Sequence, residues 1–350
     1  MSDGVRLTFR GGGWVIVVAA LLVAALVLWA FAGVLSGHRR LGGSDLASYG
    51  FDLSTCLVPR EGLTPTGQPR DFLATLRVER TMAGSAMTAF NEQNRKRYVV
   101  SDDRVVGVRI GGEARAYPLY LLNGHEIIED TLGGVPIAVT YSPLCDAVGV
   151  YERRVDGVEL RLHLSGLVQN ANGLAYDESP VPSLWRQLDG KAIAGPWAAK
   201  GAALRRVPGV ALTTWSDWLA AHPDTTVPER DPGNVRLYES ISYVREHESS
   251  AIPFPVSPAP QGSMPWKSTI LVLRDRNASG TWAIDRLRAA ATDGVATVDL
   301  GGRPLRIHVP ATEEPTWRVE DDAGDPVEAW SSFWFAASSI LSIDEPRPGI

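Results

Sequence analysis

The sequence predicts an α+β fold of strand-rich mixed sheets with short helices. It sits behind an N-terminal transmembrane helix and ahead of a degenerate second copy at the C-terminus. Three observations predict this. Residues 14–35 are continuously apolar or small, without one charge. From residue 104 onward, short runs alternate apolar and polar residues between Gly-Gly and Asp-Gly turns, the period of half-buried strands. Leu132-Gly133-Gly134-Val135-Pro136 returns as Leu300-Gly301-Gly302-Arg303-Pro304 near the far end.

The apolar run defines an anchor segment over residues 1–37. At about 1.5 Å per residue, residues 14–36 cover a bilayer core of about 30 Å. A signal-peptide core is shorter, about 7–15 residues. Ala30-Phe31-Ala32 would serve as a cleavage site, but the length favours an anchor. Arg6 and Arg10 before the span balance Arg39 and Arg40 after it, so flanking charge decides little. A large domain behind such an anchor is expected outside. The chain reads as a single-pass protein of the cell membrane with an extracytoplasmic body.

Residues 38–100, with Pro59, Gly62, Pro65, Gly67 and Pro69 in quick succession, read as a tether and N-terminal arm. Residues 101–250 form the main domain. Residues 104–110 and 114–117 are strands around Gly111-Gly112. Residues 118–130 fit a short helix carrying His125, and residues 135–141 a strand. Residues 148–151 and 160–164 read as a hairpin around Val155-Asp156-Gly157. Residues 215–221 form a short amphipathic helix before Pro223. Pro253, Pro255, Pro258, Pro260 and Pro265 mark a linker over residues 251–267.

Residues 268–343 then echo the main domain. Besides the Gly-Gly turn, Ser183-Leu184-Trp185-Arg186 is matched by Pro315-Thr316-Trp317-Arg318. The run beginning Trp215-Ser216 is matched by one beginning Trp330-Ser331. The stretch between the first two landmarks is much shorter in the second copy, and what it lacks includes Cys145, Asn170 and Asn172. Turns and tryptophans therefore read as architecture. The insert from Ser142 to about Asp177 reads as the place for function.

A net charge of −6 and a pI near 5.6 argue against a nucleic-acid surface. The eleven tryptophans suit buried anchors or a planar ligand. Cys56 and Cys145 allow one disulfide or two thiols. No phosphate-binding loop, dinucleotide turn, nucleophile elbow or His-Glu-x-x-His is present.

The candidate site residues are His125, Cys145 and Asn170 for chemistry, with Asn172, Tyr176 and Gln187 for ligand binding. Cys145 follows a strand, which places it at a rim. His125 precedes that strand, with acidic neighbours able to fix its tautomer. Thiolate and imidazole could act as nucleophile and base. They could instead hold a soft metal, copper or zinc, with a further ligand. Asn170 could orient the imidazole or simply supply turn geometry.

Several short motifs recur in one order: Arg115-Ala116-Tyr117-Pro118-Leu119, His125-Glu126-Ile127, Gly133-Gly134-Val135-Pro136, Pro143-Leu144-Cys145, Ser165-Gly166-Leu167, Ser183-Leu184-Trp185 and Gly195-Pro196. Over roughly residues 45–250 the chain thereby resembles the DUF3179 family, which has no established function. Members of that family usually read Cys-Pro-Leu-Cys where this chain has Ser142-Pro143-Leu144-Cys145, and Asn-Ser-Asn at Asn170-Ala171-Asn172. The resemblance implies no reaction, and the missing first cysteine argues against a dithiol role at this motif. Two functions stay open: an extracytoplasmic Cys/His site for metal or thiol chemistry, and a non-catalytic binding or scaffold module.

Overall fold

The alternating sequence after residue 103 forms a strand, β1 (Arg104–Ile110). Gly111 and Gly112, both at positive φ, turn it into β2 (Glu113–Pro118). The computed structural model describes residues 15, 18–24, 42–94, 98–275, 278–312 and 314–346. Residues 1–41 and 42–350 form two units. In the first, residues 18–24 are helical, and Leu21, Leu22 and Val23 are exposed. Most of the expected anchor over residues 14–36 lies outside the described residues. Among those described, no helix is long and apolar enough to cross a membrane.

The second unit is α+β, with many strands in mixed sheets and few, short helices. Helix α1 (Leu119–His125) buries Leu121 and Leu122 completely, worth about 1.5–3 kcal/mol each. It ends five residues earlier than the sequence suggested. Glu126 turns left-handed (φ 54°) and donates its N–H to the Leu122 carbonyl, and the β-branched pair Ile127-Ile128 opens β3 (Ile127–Leu132). Gly133-Gly134 turns β3 into β4 (Val135–Ser142), which pairs with β5 (Ala147–Glu152). Asp156-Gly157 does make a turn, but only between the two-residue strands Arg154–Val155 and Val158–Glu159. The longer strands on either side join different sheets.

An inserted sheet follows: β6 (Leu162–Gln169), β7 (Asn172–Asp177), β8 (Leu184–Arg186) and β9 (Ala192–Ala194). The chain returns to β1 as β10 (Val210–Thr214) and enters α2 (Trp215–Ala221). The Thr214 hydroxyl caps α2 by accepting the Asp217 N–H at 3.2 Å, a cap worth about 1 kcal/mol. The arm supplies Leu63–Pro65, Leu76–Arg77 and Thr81–Ala83 as strands to three separate sheets.

Residues 269–341 run through β11 (Thr269–Asp275), β12 (Ala278–Ala283), α3 (Ile284–Ala290), β13 (Val295–Leu300), β14 (Arg303–His308), β15 (Arg318–Asp321), β16 (Glu328–Phe333) and α4 (Trp334–Leu341). The order β16-β11-β12 matches β10-β1-β2, and the meander β13-β14-β15 matches β3-β4-β5. One apolar cluster joins Val106, Tyr117 and Ile137 to Leu271, Leu305 and Trp317. Leu212 and Trp317 exchange backbone hydrogen bonds between β10 and the approach to β15. Ile252, Phe254 and Val256 of the Pro-rich segment pack on a cluster containing Trp330 and Trp334.

The expected tryptophan pairs do not occupy equivalent places. Trp185 lies in the inserted sheet, whereas Trp317 lies beside β15. Trp215 follows β10 and opens α2; the residue that follows β16 and opens α4 is Trp334, with Trp330 inside the strand. Closely spaced tryptophans in the second stretch, Trp330 and Trp334, allowed the sequence match to slide by four residues.

Candidate functional site

β4 leads directly into a single 3-10 turn, Pro143–Cys145, and Asp146 leaves it left-handed at φ 43°. The turn puts Cys145 not at a rim but at 0% exposure, packed with Ala147, Ala171, Leu188 and Trp330. The reason is the inserted sheet, which covers the strand end. Asn172, opening β7, donates its amide N–H to Cys145 Sγ at 3.3 Å, and Sγ lies 3.5 Å from the Ser142 carbonyl. Burial pushes the thiol up to about 11, the contacts from Ser142 and Asn172 opposing it only in part. A buried thiol of this kind is inert. Both cysteines are free.

The turn is braced by charge. Asp146 accepts from the Tyr141 hydroxyl at 2.7 Å and pairs with Arg104 at 3.2 Å, all buried. Burial works to raise the Asp146 carboxyl, but Arg104 holds it below its ordinary range.

His125 ends α1 facing a different set of partners. Nδ1 lies 2.6 Å from the Ala74 carbonyl, which can only accept, so the proton sits on Nδ1. Nε2 then accepts from the Tyr238 hydroxyl at 2.7 Å. Burial lowers its basicity, the Ala74 carbonyl opposing. His125 and Cys145 have no hydrogen-bond partner in common. A metal ligand would need Nε2, which Tyr238 occupies, and Cys145 touches no second soft donor. Among the described residues no group of three or more His, Cys, Asp and Glu is placed to hold a metal ion. The residues therefore do not fit copper or zinc.

Of the remaining expected residues, Asn172 joins Cys145 and uses its other amide atom, Oδ1, to accept the Leu188 N–H at 3.1 Å. Asn170 does not join them. It sits left-handed (φ 51°) in the β6–β7 turn and exchanges two hydrogen bonds with the Ser257 backbone, at 2.9 and 3.1 Å. Tyr176 faces the arm: its hydroxyl donates to Asp71 at 2.7 Å, and its ring stacks on His163. Gln187 is 3% exposed, and neither side-chain polar atom has a hydrogen-bond partner among the described residues.

Gln187 adjoins a residue that sequence reasoning passed over. Glu126 is 8% exposed and has no ion-pair partner among the described residues; burial pushes its carboxyl up to about 8. The two approach at Gly173, where a Cβ would lie 2.7 Å from Gln187 Nε2 and 3.4 Å from Glu126 Oε2. Gly173 in turn donates its N–H to the Ser142 hydroxyl at 2.9 Å. Glu126, Gln187, Ser142, Asn172 and Cys145 thus form one enclosed polar group in which burial favours the uncharged forms of the carboxyl and the thiol. It can exchange hydrogen bonds, but it contains neither a thiolate nor a base paired to the thiol. The sequence pattern places Glu126 inside a helix over residues 118–130, and nothing local marks its burial.

Comparison with known protein families matches residues 86–338 to DUF3179, described as a protein of unknown function. No curated protein and no solved structure matches the chain.

Proposed function

Because this chain belongs to the DUF3179 family, which brings no reaction with it, we propose from its own geometry that it is a membrane-tethered, extracytoplasmic binding module and not a thiol enzyme or metal protein. One observation carries this reading: Cys145 is fully buried, its thiol is pushed up to about 11, and its polar neighbours are an amide and a carbonyl. An activated cysteine needs a neighbouring base or cation and partial exposure. The uncharged run over residues 14–36 supports the tether. The matching element order of residues 104–221 and 269–341 supports a duplicated body whose second copy lost the inserted sheet.

Cys56, half-buried, serves as an internal reporter. In intact cells, a membrane-impermeant maleimide should modify Cys56 in membrane-bound protein, while Cys145 stays free until the chain is denatured. Native modification of Cys145 at pH 7 would overturn the inert-thiol reading. Protein found only in the soluble fraction would overturn the tether, and labelling of Cys56 only after lysis would overturn the orientation.

A further inference from the structure

Leu188 links two sides of the molecule. Its N–H is held by Asn172 beside Cys145, and its carbonyl accepts from Arg206 Nη2 at 2.5 Å. Arg206 lines a cleft of about 1340 Å³, together with Arg274, Trp282, Glu328, Trp330 and Ile343. Arg206 is exposed by only 9%, and its guanidinium is matched on one side alone, leaving its other N–H donors to the solvent of the cleft. Nη2 also donates to the Tyr151 hydroxyl at 2.6 Å, and the guanidinium stacks 4.2 Å over the Trp330 ring. Nη1 has no hydrogen bond among the described residues. The nearest carboxylate, Glu328, is 3.8 Å from Nε. Glu328 is also 3.3 Å from Arg274, so one carboxylate serves two guanidinium groups. Trp330 Nε1, buried on the same wall, has no partner among the described residues either.

We propose that this cleft binds a small monocarboxylate with an apolar, ring-sized body. The inference rests on the binding-module reading and names its ligand class. One carboxylate would balance the second of the two guanidinium groups that share Glu328 and give an acceptor to Arg206 Nη1. Trp282, Leu341 and Ile343 supply apolar wall. Asp299, Asp344 and Glu345 line the same cleft and repel multiply charged anions such as phosphate.

Benzoate, benzamide and inorganic phosphate, titrated calorimetrically into the full-length protein in detergent, test this. Benzoate should bind saturably, and the other two should not. R206Q removes a buried side chain, so the deciding variant is R274Q, whose side chain is half exposed. It should weaken benzoate binding by about tenfold or more, the loss of one charge-assisted contact. Equal binding of benzoate and benzamide, no saturable benzoate binding, or benzoate affinity unchanged in R274Q would each overturn the proposal. Maleimide labelling in the same preparation separates the two readings. A reactive Cys145 with benzoate bound sinks only the inert-thiol reading. An inert Cys145 without benzoate binding sinks only the cleft.

Discussion

Between β1 and α2 the interior holds Arg104, His125, Glu126, Asp130, Asp146, Asn172 and Gln187. Between β11 and α4 it holds Thr269, Thr316, Ser331, Ser332 and Ser339, with Asp321 the one buried charged residue among those described. Apart from the elements between Glu152 and Val210, the order of strands and helices in the two stretches is the same. That topology therefore closes a core with apolar side chains, small hydroxyls and a single buried carboxylate among the described residues. Buried charge in the first stretch is not a requirement of the frame. Part of it comes with the inserted sheet, where Glu126, Asn172 and Gln187 meet, whereas Asp130 pairs with Arg115 and Arg104 with Asp146 and Glu314. Departures from local rules of this kind concentrate where a protein does its work.

Removing buried charge should give the largest contrast. Arg104→Met leaves Asp146 buried without its cation and should cost about 3–5 kcal/mol. Arg318→Met, which removes the partly exposed pair with Glu320, should cost about 1 kcal/mol or less. Denaturant midpoints of the full chain measure both, and equal losses would erase the distinction between the stretches.

The next effect is a difference of sign. Glu126 is raised in the folded state from 4.5 to about 8, so the native chain holds a proton that the unfolded chain releases. Its contribution is intact below about pH 4.5 and is lost as pH rises toward 8. At about 1.4 kcal/mol per unit this is on the order of a few kcal/mol. E126Q should flatten that fall in melting temperature. Glu320 behaves oppositely. Burial would raise its carboxyl, but His308 and Arg318 hold it below 4.5. Its contribution is present above pH 4.5 and is lost on acidification, so E320Q should remove part of the acid-side loss instead. If both variants shift stability in the same pH direction, the electrostatic contrast is wrong.

The smallest effect sharpens the likeness. Gly134 and Gly302 both have positive φ (76° and 86°), with open space where a Cβ would stand. G134A and G302A should each cost about 1 kcal/mol, from backbone conformation alone. At Gly133 a Cβ would meet the Ile110 carbonyl oxygen at 2.4 Å, so G133A should cost more. Unequal values for G134A and G302A would mean that the two turns are not counterparts.

Much of the frame was legible because it rests on local signals. Period-two alternation marked β1, a β-rich apolar run marked β4, paired glycines marked the turns, and an amphipathic run before Pro223 marked α2. The Cys145–Asn172 contact was half legible, since both residues were singled out but nothing local set their partnership. Glu126 was not legible. A glutamate after a helical histidine reads as solvated, and its burial depends on Gly173 and Gln187 arriving from the inserted sheet. Arg206 was hidden for the same reason: Trp330, the ring beneath it, lies far along the chain. His125 was misplaced because its two partners, Ala74 and Tyr238, come from the arm and from the helix Val235–Ser240.

The backbone exchange between Leu212 and Trp317 bears on how the chain is made. When the ribosome has released β10, the partner of Leu212 has not yet been synthesised. Leu271, Leu305 and Trp317 are also missing from the cluster that contains Val106 and Ile137. The first half must therefore wait, with apolar surface uncovered, until about a hundred further residues emerge. A nascent chain halted before Trp317 presents an unsealed strand flank. Termination ahead of Trp317 thus removes backbone and core partners of the first half along with the segment it deletes.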